Sequence, residues 1–388
     1  MMRTDLYMKN SKKAGLYIHV PFCSKKCNYC DFYSFKSDDL TKEMYVTALI
    51  SQIKEKASVY ADRVFDSVYI GGGTPTALGT RLLCQIVSAV NDYFRIEECA
   101  EFTVETNPGI EASFADLRLL GANRLSIGLQ SANTDELELL GRIHSLDDYK
   151  RTFELARSAG FDNISTDIMF SLPFQTIEKL GHTLDFIADF EPEHISAYSL
   201  KIEEGTPFYR MRSEFKLPDE DTDADMYLYI CERLAKLGYE HYEISNFAKP
   251  ERASRHNLRY WKCEEYLGLG SAAHSYMNGT RYAYTRDANA FFRVYESGDL
   301  CEKDIISEHS VIDRDESVSE ALMLGLRLSE GITDALLEKL APLDTIYKKI
   351  NPLIKSGLII KTRDGIALTA NGMYVSNAVI GYISDIAD

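Results

Sequence analysis

The sequence predicts an α/β protein: a partial, parallel (β/α)6 barrel of the TIM type, then a smaller α+β region and a C-terminal winged-helix-like domain. Strand-like and helix-like segments alternate from residue 15 to about residue 200, which is typical of repeated βα units. Polar residues follow consecutive predicted strands, and helices followed by a hairpin pattern occupy the last part of the chain. Because 388 residues exceed the usual single core, we predict three domains, over residues 1–204, 205–305 and 306–388.

The predicted barrel strands are short apolar runs that end in polar or turn-forming residues. They span Leu16–Val20, Val68–Gly71, Glu101–Thr106, Arg124–Leu129, Ile164–Phe170 and His194–Leu200. Apolar residues at helical spacing lie between them, over Leu40–Tyr60, Arg81–Tyr93, Ser113–Leu120 and Ser145–Ala159. Ser145, with Asp148 three residues later, is typical of a capped helix start, and Gly160 is typical of a helix end. In such barrels the active site lies at the carboxyl ends of the strands.

Polar residues stand at the predicted strand ends, where a barrel places its active site. They are Cys23, the Gly71–Pro75 turn, the Glu105–Pro108 segment, the Gly128–Ser131 segment, Asp167 and Tyr198. Glycines in the Gly71–Pro75 turn would let backbone N–H groups approach a polar or anionic ligand closely. A single strand-end carboxylate is usually a cap or an ion-pair member, whereas polar features at consecutive strand ends predict one polar cleft.

Three of the eight cysteines follow the first predicted strand, at the spacing C-x3-C-x2-C. The thiolates of Cys23, Cys27 and Cys30 can converge on one metal centre because they share a short loop. Iron–sulfur cubanes normally take four thiolates, so three thiolates leave one iron open to bind a ligand. The alternatives are a redox thiol set and a structural zinc site completed by His19 or Asp31. The sequence contains no second C-x2-C or H-x3-H pair of the kind that zinc sites use.

Charge and composition argue against several classes of protein. The chain carries 43 basic and 59 acidic residues, a net charge of −16, which argues against a nucleic-acid surface. It has no apolar run long enough for a transmembrane segment. Met1–Lys13 is polar and lacks the apolar core of a signal peptide, and the other five cysteines have no regular spacing. We therefore expect a cytoplasmic protein with reduced thiols.

The C-x3-C-x2-C loop, with an aromatic residue before its last cysteine, resembles the cluster motif of the radical S-adenosylmethionine (SAM) superfamily. The ordered segments YIHVPFC, GGGTP, ETNP, GLQS, LGRIH and TDIMFSLP are similar to one branch, the coproporphyrinogen-dehydrogenase and haem-chaperone group. The resemblance covers essentially the whole chain. In that superfamily, an electron from a reduced [4Fe–4S] cluster cleaves SAM into methionine and a 5′-deoxyadenosyl radical.

The resemblance implies two cofactors and a set of residues for each. A [4Fe–4S] cluster would be held by Cys23, Cys27 and Cys30. Contacts to SAM would come from Tyr17, Tyr29, Gly72, Gly73, Thr74, Glu105, Gln130, Arg142 and Asp167. The chemistry suits these positions, because carboxylates accept hydrogen bonds from an ammonium group or ribose hydroxyls, and an arginine pairs with a carboxylate.

After the barrel the pattern changes. We predict a linker-like stretch, then a helix over Asp225–Leu237 and a strand over Tyr239–Phe247. The following segment H-N-x-x-Y-W, from His256 to Trp261, resembles the segment associated with haem in the haem-chaperone branch. The resemblance implies His256 as a ligand of haem iron, whereas composition alone favours a hydrogen-bonded core histidine. The resemblance also implies pocket walls formed by Tyr260, Trp261 and His274.

The last predicted domain combines helices with a hairpin. The helices span Ser317–Leu328 and Ile346–Lys355, and the segments Leu358–Lys361 and Ile366–Thr369 flank the turn signal Asp364-Gly365. Helices followed by a hairpin resemble a winged helix, a fold that often binds DNA. The acidic balance and the lack of a basic run predict a packing or partner-docking module instead.

Two functions remain open for a member of this group. One is a haem chaperone that binds haem and passes it to an acceptor protein, with the cluster, SAM and a small electron-donor protein as partners. The other is radical chemistry on a tetrapyrrole, above all oxygen-independent coproporphyrinogen III dehydrogenation. The dehydrogenase motif continues as C-x3-C-x2-C-x-C, whereas this chain has Phe32 at the fourth position, and only 22 residues precede Cys23. We therefore predict the chaperone and leave open whether it is also an enzyme.

Overall fold

The computed structural model describes residues 12–110 and 112–386. The polar segment predicted over Met1–Lys13 lies outside the described residues, except for its last two positions. Within the described ranges, none of the helices is both long enough and apolar enough to cross a bilayer.

The first half of the chain alternates between strands and helices, as the sequence predicts. The strands are β1 (Lys13–Val20), β2 (Val64–Gly72), β3 (Ile96–Thr106), β4 (Arg124–Gln130), β5 (Ile164–Phe170) and β6 (His194–Ser199). The helices are α1 (Asp39–Val59), α2 (Thr80–Tyr93), α3 (Phe114–Leu119), α4 (Thr134–Leu140), α5 (Leu146–Ser158) and α6 (Ile177–Ala188). Every predicted strand overlaps one of the observed strands, and the capping box of Ser145 and Asp148 starts α5. The alternation forms the partial (β/α)6 barrel.

The polar and apolar side chains of the barrel strands lie on opposite faces of the sheet. Over the described residues, twelve strands form one sheet, and β1 to β6 lie side by side within it, all parallel. Successive side chains of a strand point to opposite faces. On β4, the apolar face carries the buried Leu125 and Ile127, and the polar face carries Arg124 and Ser126. Burying polar side chains costs free energy, so the polar inner face does not close into a packed core. It therefore leaves room for a ligand.

The region after β6 adds elements to both edges of this sheet. Its helices are α7 (Pro207–Met211), α8 (Glu220–Lys236), α9 (Arg255–Trp261) and α10 (Ala288–Phe292). Its strands are β7 (Glu240–Glu243), β8 (Asn246–Ala248), β9 (Tyr266–Leu269), β10 (His274–Met277), β11 (Thr280–Tyr284) and β12 (Ile306–Val311). Strand β8 pairs with β6 at one edge, and β9 pairs with β1 at the other. The domain boundaries before residues 205 and 306 stay a prediction, and strand pairing continues across both.

The single strand predicted over Tyr239–Phe247 is wrong, because this stretch is a hairpin of the antiparallel strands β7 and β8. The buried carboxylate of Glu243 accepts hydrogen bonds from the Ser245 N–H, at 3.2 Å, and from the side chain of Asn246. These bonds hold the tight turn between the two strands. Alternation of polar and apolar residues does not reveal such a turn, since the alternation continues through it.

Helix α9 lies against the polar inner face of the barrel. The carboxylate of Glu101, on β3, accepts hydrogen bonds from the N–H groups of Arg255, at 2.9 Å, and His256, at 3.0 Å. It also accepts one from Ser254 Oγ at 3.3 Å. Glu101 therefore satisfies the free N–H groups at the start of α9 and ties the helix to the sheet.

The C-terminal domain has the predicted winged-helix-like arrangement. Its helices are α11 (Arg314–Gly325), α12 (Asp334–Leu337), α13 (Leu343–Lys355), α14 (Ala370–Tyr374) and α15 (Ser376–Ser384). Its strands are β13 (Ile332–Thr333), β14 (Ile359–Lys361) and β15 (Gly365–Leu368), in the order β13-β15-β14. The domain packs on the rest of the chain. The Ser329 N–H donates to Tyr242 O at 3.0 Å, and the Tyr374 hydroxyl donates to Asp223 at 3.0 Å.

Replacing Glu101 with alanine should destabilise the protein by about 2–5 kcal/mol, because three donors at the start of α9 lose their acceptor. The free energy of unfolding from a denaturant titration measures the change. Glu98→Ala is the matched control, since Glu98 is an exposed residue of the same strand, and its effect should stay within about 0.5 kcal/mol. Equal stability of the two variants would contradict the capping role of Glu101.

Candidate functional site

A cavity of about 450 Å³ opens at the carboxyl ends of the barrel strands. We call it the strand-end cavity. Most of the residues predicted for the cluster and SAM line it: Cys23, Cys27, Tyr29, Cys30, Gly72, Gly73, Thr74, Glu105, Gln130, Arg142 and Asp167. The structure thus brings these residues together in one polar cleft, although they come from six separate segments of the chain.

The cysteine loop begins directly after β1 and folds back on itself. The Phe35 N–H donates to Pro21 O at 2.8 Å, and the Cys23 N–H donates to Phe35 O at 3.0 Å. All three thiols are half-buried, and burial raises the pKa of the Cys23 and Cys30 thiols. Across the described residues, no three His, Cys, Asp or Glu side chains converge on a position for a single metal ion.

Helix α4 holds the cysteine loop and presents Arg142. The Asn28 N–H, in the loop, donates to Leu140 O at 3.0 Å. The helix ends at Gly141, whose φ of 73° is in the left-handed region that glycine adopts without strain. A side chain at Gly141 would lie 3.0 Å from Asn28. The turn places Arg142 Nη1 at 3.4 Å from Cys27 Sγ, so a cation lies beside the thiols.

The glycine turn after β2 was predicted to present backbone N–H groups to a ligand, and this expectation is wrong. The Gly73 N–H donates to Val20 O at 2.8 Å, and the Thr74 N–H donates to Phe22 O at 2.7 Å. The Gly72 N–H is also bonded within the protein, to a carboxylate. A side chain at Gly73 would lie 2.6 Å from Phe22 O. Glycine is needed here because the turn docks closely on the start of the cysteine loop.

Two carboxylates, Glu105 and Asp167, lie on the inner wall of the strand-end cavity. Glu105 accepts hydrogen bonds from the Tyr69 hydroxyl at 2.7 Å and the Gly72 N–H at 3.1 Å. Burial, together with the charge of Asp167, raises the pKa of Glu105 to about 7. Asp167 accepts a hydrogen bond from Ser126 Oγ at 3.0 Å, and burial raises its pKa too. Near neutral pH this wall can therefore hold a proton or accept hydrogen bonds from a cationic group.

Arg142 is oriented by a polar network and keeps one donor free. Its Nη2 donates to Asn107 Oδ1 and to Gly128 O, both at 2.6 Å, and Asn107 donates to Thr74 Oγ1 at 2.7 Å. A side chain at Gly128 would lie 2.8 Å from Asn107 and 2.9 Å from Gln130, so glycine makes room for both. The Nε of Arg142 is buried and has no acceptor within the described residues. The guanidinium lines the strand-end cavity, where it can pair with a carboxylate.

Tyr17 and His256 lie beside the strand-end cavity rather than on its lining. Their rings pack 6.5 Å apart, and both contact Tyr69, which does line it. His256 is 1% exposed; its Nδ1 is hydrogen-bonded to Ser67 Oγ at 3.0 Å and its Nε2 to the Tyr260 hydroxyl at 2.9 Å. Burial lowers the pKa of His256 to about 3, so the ring is neutral. Both ring nitrogens are thus engaged, and binding a metal would break one of these bonds.

Several residues of the strand-end cavity were not predicted from the sequence. They are Tyr69, Arg124, Ser126, Ser196 and Asn257. Four of them are strand residues whose side chains face the inside of the barrel. The alternation of inward and outward side chains along each strand could have indicated them. Asn257 stands on α9, and its place depends on how that helix packs across the sheet. The H-N-x-x-Y-W motif therefore contributes its asparagine, not its histidine, to this cavity.

Comparison with known proteins agrees with this geometry. The family model of the Radical SAM superfamily matches residues 17–187, and that of the HemN C-terminal domain matches residues 312–375. The heme chaperone HemW of Bacillus subtilis is 34% identical over 381 residues, covering 94% of this chain and 97% of that protein. HemW of Lactococcus lactis is 33% identical over 379 residues, covering 95% and 96%.

A solved structure shows the same fold. Coproporphyrinogen III oxidase (HemN) from Escherichia coli matches with a TM-score of 0.81 at 23% identity, covering 97% of this chain and 90% of that chain. The fold and the cysteine-lined cavity are those of a radical SAM protein. Because these two HemW proteins are 34% and 33% identical to the chain over nearly their whole length, the chain belongs to the HemW family of that superfamily.

The residues present fit the two cofactors that the superfamily implies, a [4Fe–4S] cluster and SAM. Three half-buried thiols share one side of the strand-end cavity. The guanidinium of Arg142 lies beside them, and the inner wall carries the carboxylates of Glu105 and Asp167. These groups complement the carboxylate and the ammonium of an amino acid, which SAM carries at the end that meets the cluster.

The stability of the cluster-free protein should depend on pH through Glu105. This group binds a proton more tightly when folded, with a pKa of about 7, than when unfolded, with a pKa of 4.5, so its contribution to stability falls as pH rises between these values. Glu105→Gln removes the titration. Relative to wild type, the variant should therefore gain about 2–3 kcal/mol between pH 5 and pH 8.

Denaturant unfolding at both pH values measures this gain. Glu138→Gln, at an exposed position of α4, is the control and should follow wild type at both. If the difference between Glu105→Gln and wild type is the same at pH 5 and pH 8, the raised pKa of Glu105 is refuted.

Proposed function

We propose that this protein is a haem chaperone that binds haem and passes it to an acceptor protein, with a [4Fe–4S] cluster and SAM as cofactors. The observation that carries the proposal is the 34% identity to the heme chaperone HemW of Bacillus subtilis over nearly the full length of both chains. Relatives of the same name from Lactococcus lactis and Mycobacterium tuberculosis are 33% and 30% identical.

The proposed cofactor contacts follow the geometry of the strand-end cavity. The cluster ligands are Cys23, Cys27 and Cys30, and the SAM contacts are Tyr29, Gly72, Gly73, Thr74, Glu105, Gln130, Arg142 and Asp167, with Tyr17 packed behind them. When bound and reduced, the cluster supplies the electron for SAM cleavage. Arg142 would orient the carboxylate of SAM through its guanidinium, and the carboxylates of Glu105 and Asp167 would accept hydrogen bonds from the ammonium or ribose groups of SAM. The hydroxyl of Thr74, 3.6 Å from Cys23 Sγ, would donate to that sulfur.

Coproporphyrinogen III dehydrogenation is the second candidate, and the fold shared with HemN favours it. At 23% identity, that likeness carries the fold alone. The cluster motif of the dehydrogenases continues with a fourth cysteine, and this chain has Phe32 at that position. Its side chain is 70% exposed at the mouth of the strand-end cavity. A phenyl ring cannot bind iron, so the chaperone is the better supported function.

The proposed partners are haem, a haem-acceptor protein and a small electron-donor protein. The winged-helix-like domain suits docking of a protein partner, because it exposes apolar side chains. They are Met323, Ile360, Val375 and Tyr382. All eight cysteines are free, which supports a cytoplasmic location, where thiols stay reduced.

Removing one cluster thiol should abolish the cluster. After anaerobic reconstitution, Cys27→Ala should lose the brown absorbance of a [4Fe–4S] protein, because two remaining thiolates are too few to hold a cubane. Absorbance and iron content measure the loss. Cys84→Ala is the control, since this half-buried cysteine lies on α2, away from the cavity, and its absorbance should match wild type. A full cluster in Cys27→Ala would refute the ligand assignment.

The function itself is tested with haem and with coproporphyrinogen III. The reconstituted protein should bind haem at one equivalent in an absorbance titration, and Cys23→Ala should still bind it, because the cluster is not part of the haem site. With cluster, SAM and reductant supplied, the protein should not convert coproporphyrinogen III. Decarboxylated product over many turnovers, or failure to bind haem, would contradict the chaperone.

A further inference from the structure

A shallow depression lies on the surface of the molecule beside the cysteine loop. Its volume is about 30 Å³, and its lining includes the exposed residues Ser24, Lys25 and Ile143. We call it the loop depression. Cys27 and Arg142 line both this depression and the strand-end cavity. One of the proposed cluster ligands therefore lies close to the molecular surface at this place.

The loop depression is too small to hold a ligand, since small-molecule sites have volumes of roughly 300–1,000 Å³. Its shape suits instead a protein partner that places a small protruding group in it. Electron transfer slows steeply with distance, so a protein that reduces the cluster has to dock where a cluster ligand is near the surface. The position of Cys27 meets this requirement.

The apolar part of the loop depression consists of Pro108, Ile110 and Ile143. The side chain of Ile143 is 66% exposed. Both of its neighbours are tied to the end of β4: Arg142 donates to Gly128 O at 2.6 Å, and the ring of His144 is hydrogen-bonded to Leu129 O at 3.2 Å. The chain thus holds Ile143 in a fixed, outward position.

The charged part of the loop depression is basic. It consists of Lys25 and Arg142, and none of the described residues on its lining carries a carboxylate. Burial lowers the pKa of His144 to about 4, so this ring is neutral. Lys25 forms no ion pair within the described ranges, and Lys26 adds a further exposed cation beside it.

The acidic residues close to the loop depression along the chain are engaged elsewhere. Asp147 pairs with Lys150 at 3.4 Å, Asp148 caps the start of α5, and Asp31 lines the strand-end cavity. The whole chain carries a net charge of −16. A basic patch without carboxylates is therefore a place where an acidic protein can approach this chain without local repulsion.

We propose that the loop depression is the docking surface for a small acidic flavoprotein that reduces the cluster. This inference rests on the proposed function, in which a cluster and an electron-donor protein take part, and it adds the surface and the class of donor. One electron passes from the flavin to the cluster, so the donor is oxidised as the cluster is reduced, and no bond forms or breaks. The outer edge of a flavin ring carries two methyl groups, which complement Ile110 and Ile143. Carboxylates around that edge would pair with Lys25 and Lys26.

Calorimetric titration of wild type and four single variants with a purified bacterial flavodoxin tests the proposal in the full-length protein. Ile143→Glu places a carboxylate in the apolar part of the depression, and Lys25→Glu reverses the charge beside it. Each should weaken flavodoxin binding at least about tenfold, because like charges then face each other. Leu119→Glu is the control for Ile143→Glu, since Leu119 is exposed at the end of α3, shortly before β4 begins. Lys348→Glu, at an exposed lysine of α13, is the control for Lys25→Glu, and both controls should bind as wild type does.

The rate of cluster reduction, followed by stopped-flow absorbance after reconstitution, is the second readout. At flavodoxin concentrations below saturation, reduced flavodoxin should reduce the cluster at least about tenfold more slowly in Ile143→Glu and Lys25→Glu than in wild type. Photoreduced deazaflavin is a small uncharged reductant that needs no docking surface. It should reduce the cluster of all five proteins at the same rate.

The outcomes separate this inference from the function on which it rests. If Ile143→Glu and Lys25→Glu bind flavodoxin and are reduced by it as wild type is, the docking surface is overturned. It is also overturned if flavodoxin fails to reduce wild type while deazaflavin succeeds, or if deazaflavin reduces the two variants as slowly as flavodoxin does. Failure of wild type to bind haem contradicts the chaperone alone, because the haem titration does not depend on the loop depression.

Discussion

The alternation of polar and apolar side chains along six parallel strands is the constraint on which the rest of the structure depends. Parallel pairing brings the carboxyl ends of β1 to β6 to one edge of the sheet, and the period of two turns every second side chain inward. Because the inward residues are polar, they line a cavity instead of closing into a core. Glu105, Ser126 and Asp167, from three neighbouring strands, meet in this way. The cysteine loop follows directly after the carboxyl end of β1, so it lies next to these residues.

Helix α9 connects this site with the C-terminal domain. It is fixed to the sheet by Glu101, its Asn257 lines the strand-end cavity, and its Trp261 lines a second cavity, between the end of α9 and the C-terminal domain. Asn257 and Trp261 stand four residues apart, about 6 Å along the axis of this seven-residue helix. A displacement of α9 would therefore change both cavities.

Local patterns predict much of the fold but not the contacts between distant residues. The bounds of β5 predicted from its sequence are the bounds in the structure, Ile164–Phe170. The spacing of the cysteines indicates the cluster loop. The pairing of the Gly73 N–H with Val20 O could not be predicted, because it joins segments that are far apart in the chain. The same holds for Asn257, whose place depends on the packing of α9. The hairpin over β7 and β8 was missed because the buried carboxylate of Glu243, not a turn motif, holds it.

The central claim is that the strand ends form one site for the cluster and SAM, and the affinity of the reconstituted protein for SAM in Arg142→Ala tests it most directly. Loss of a charge-assisted partner worth about 1.5–3 kcal/mol should weaken SAM binding about 10–150-fold in a calorimetric titration. Arg151→Ala, at an exposed arginine of α5, should bind SAM as wild type does. Unchanged SAM affinity in Arg142→Ala would contradict the account.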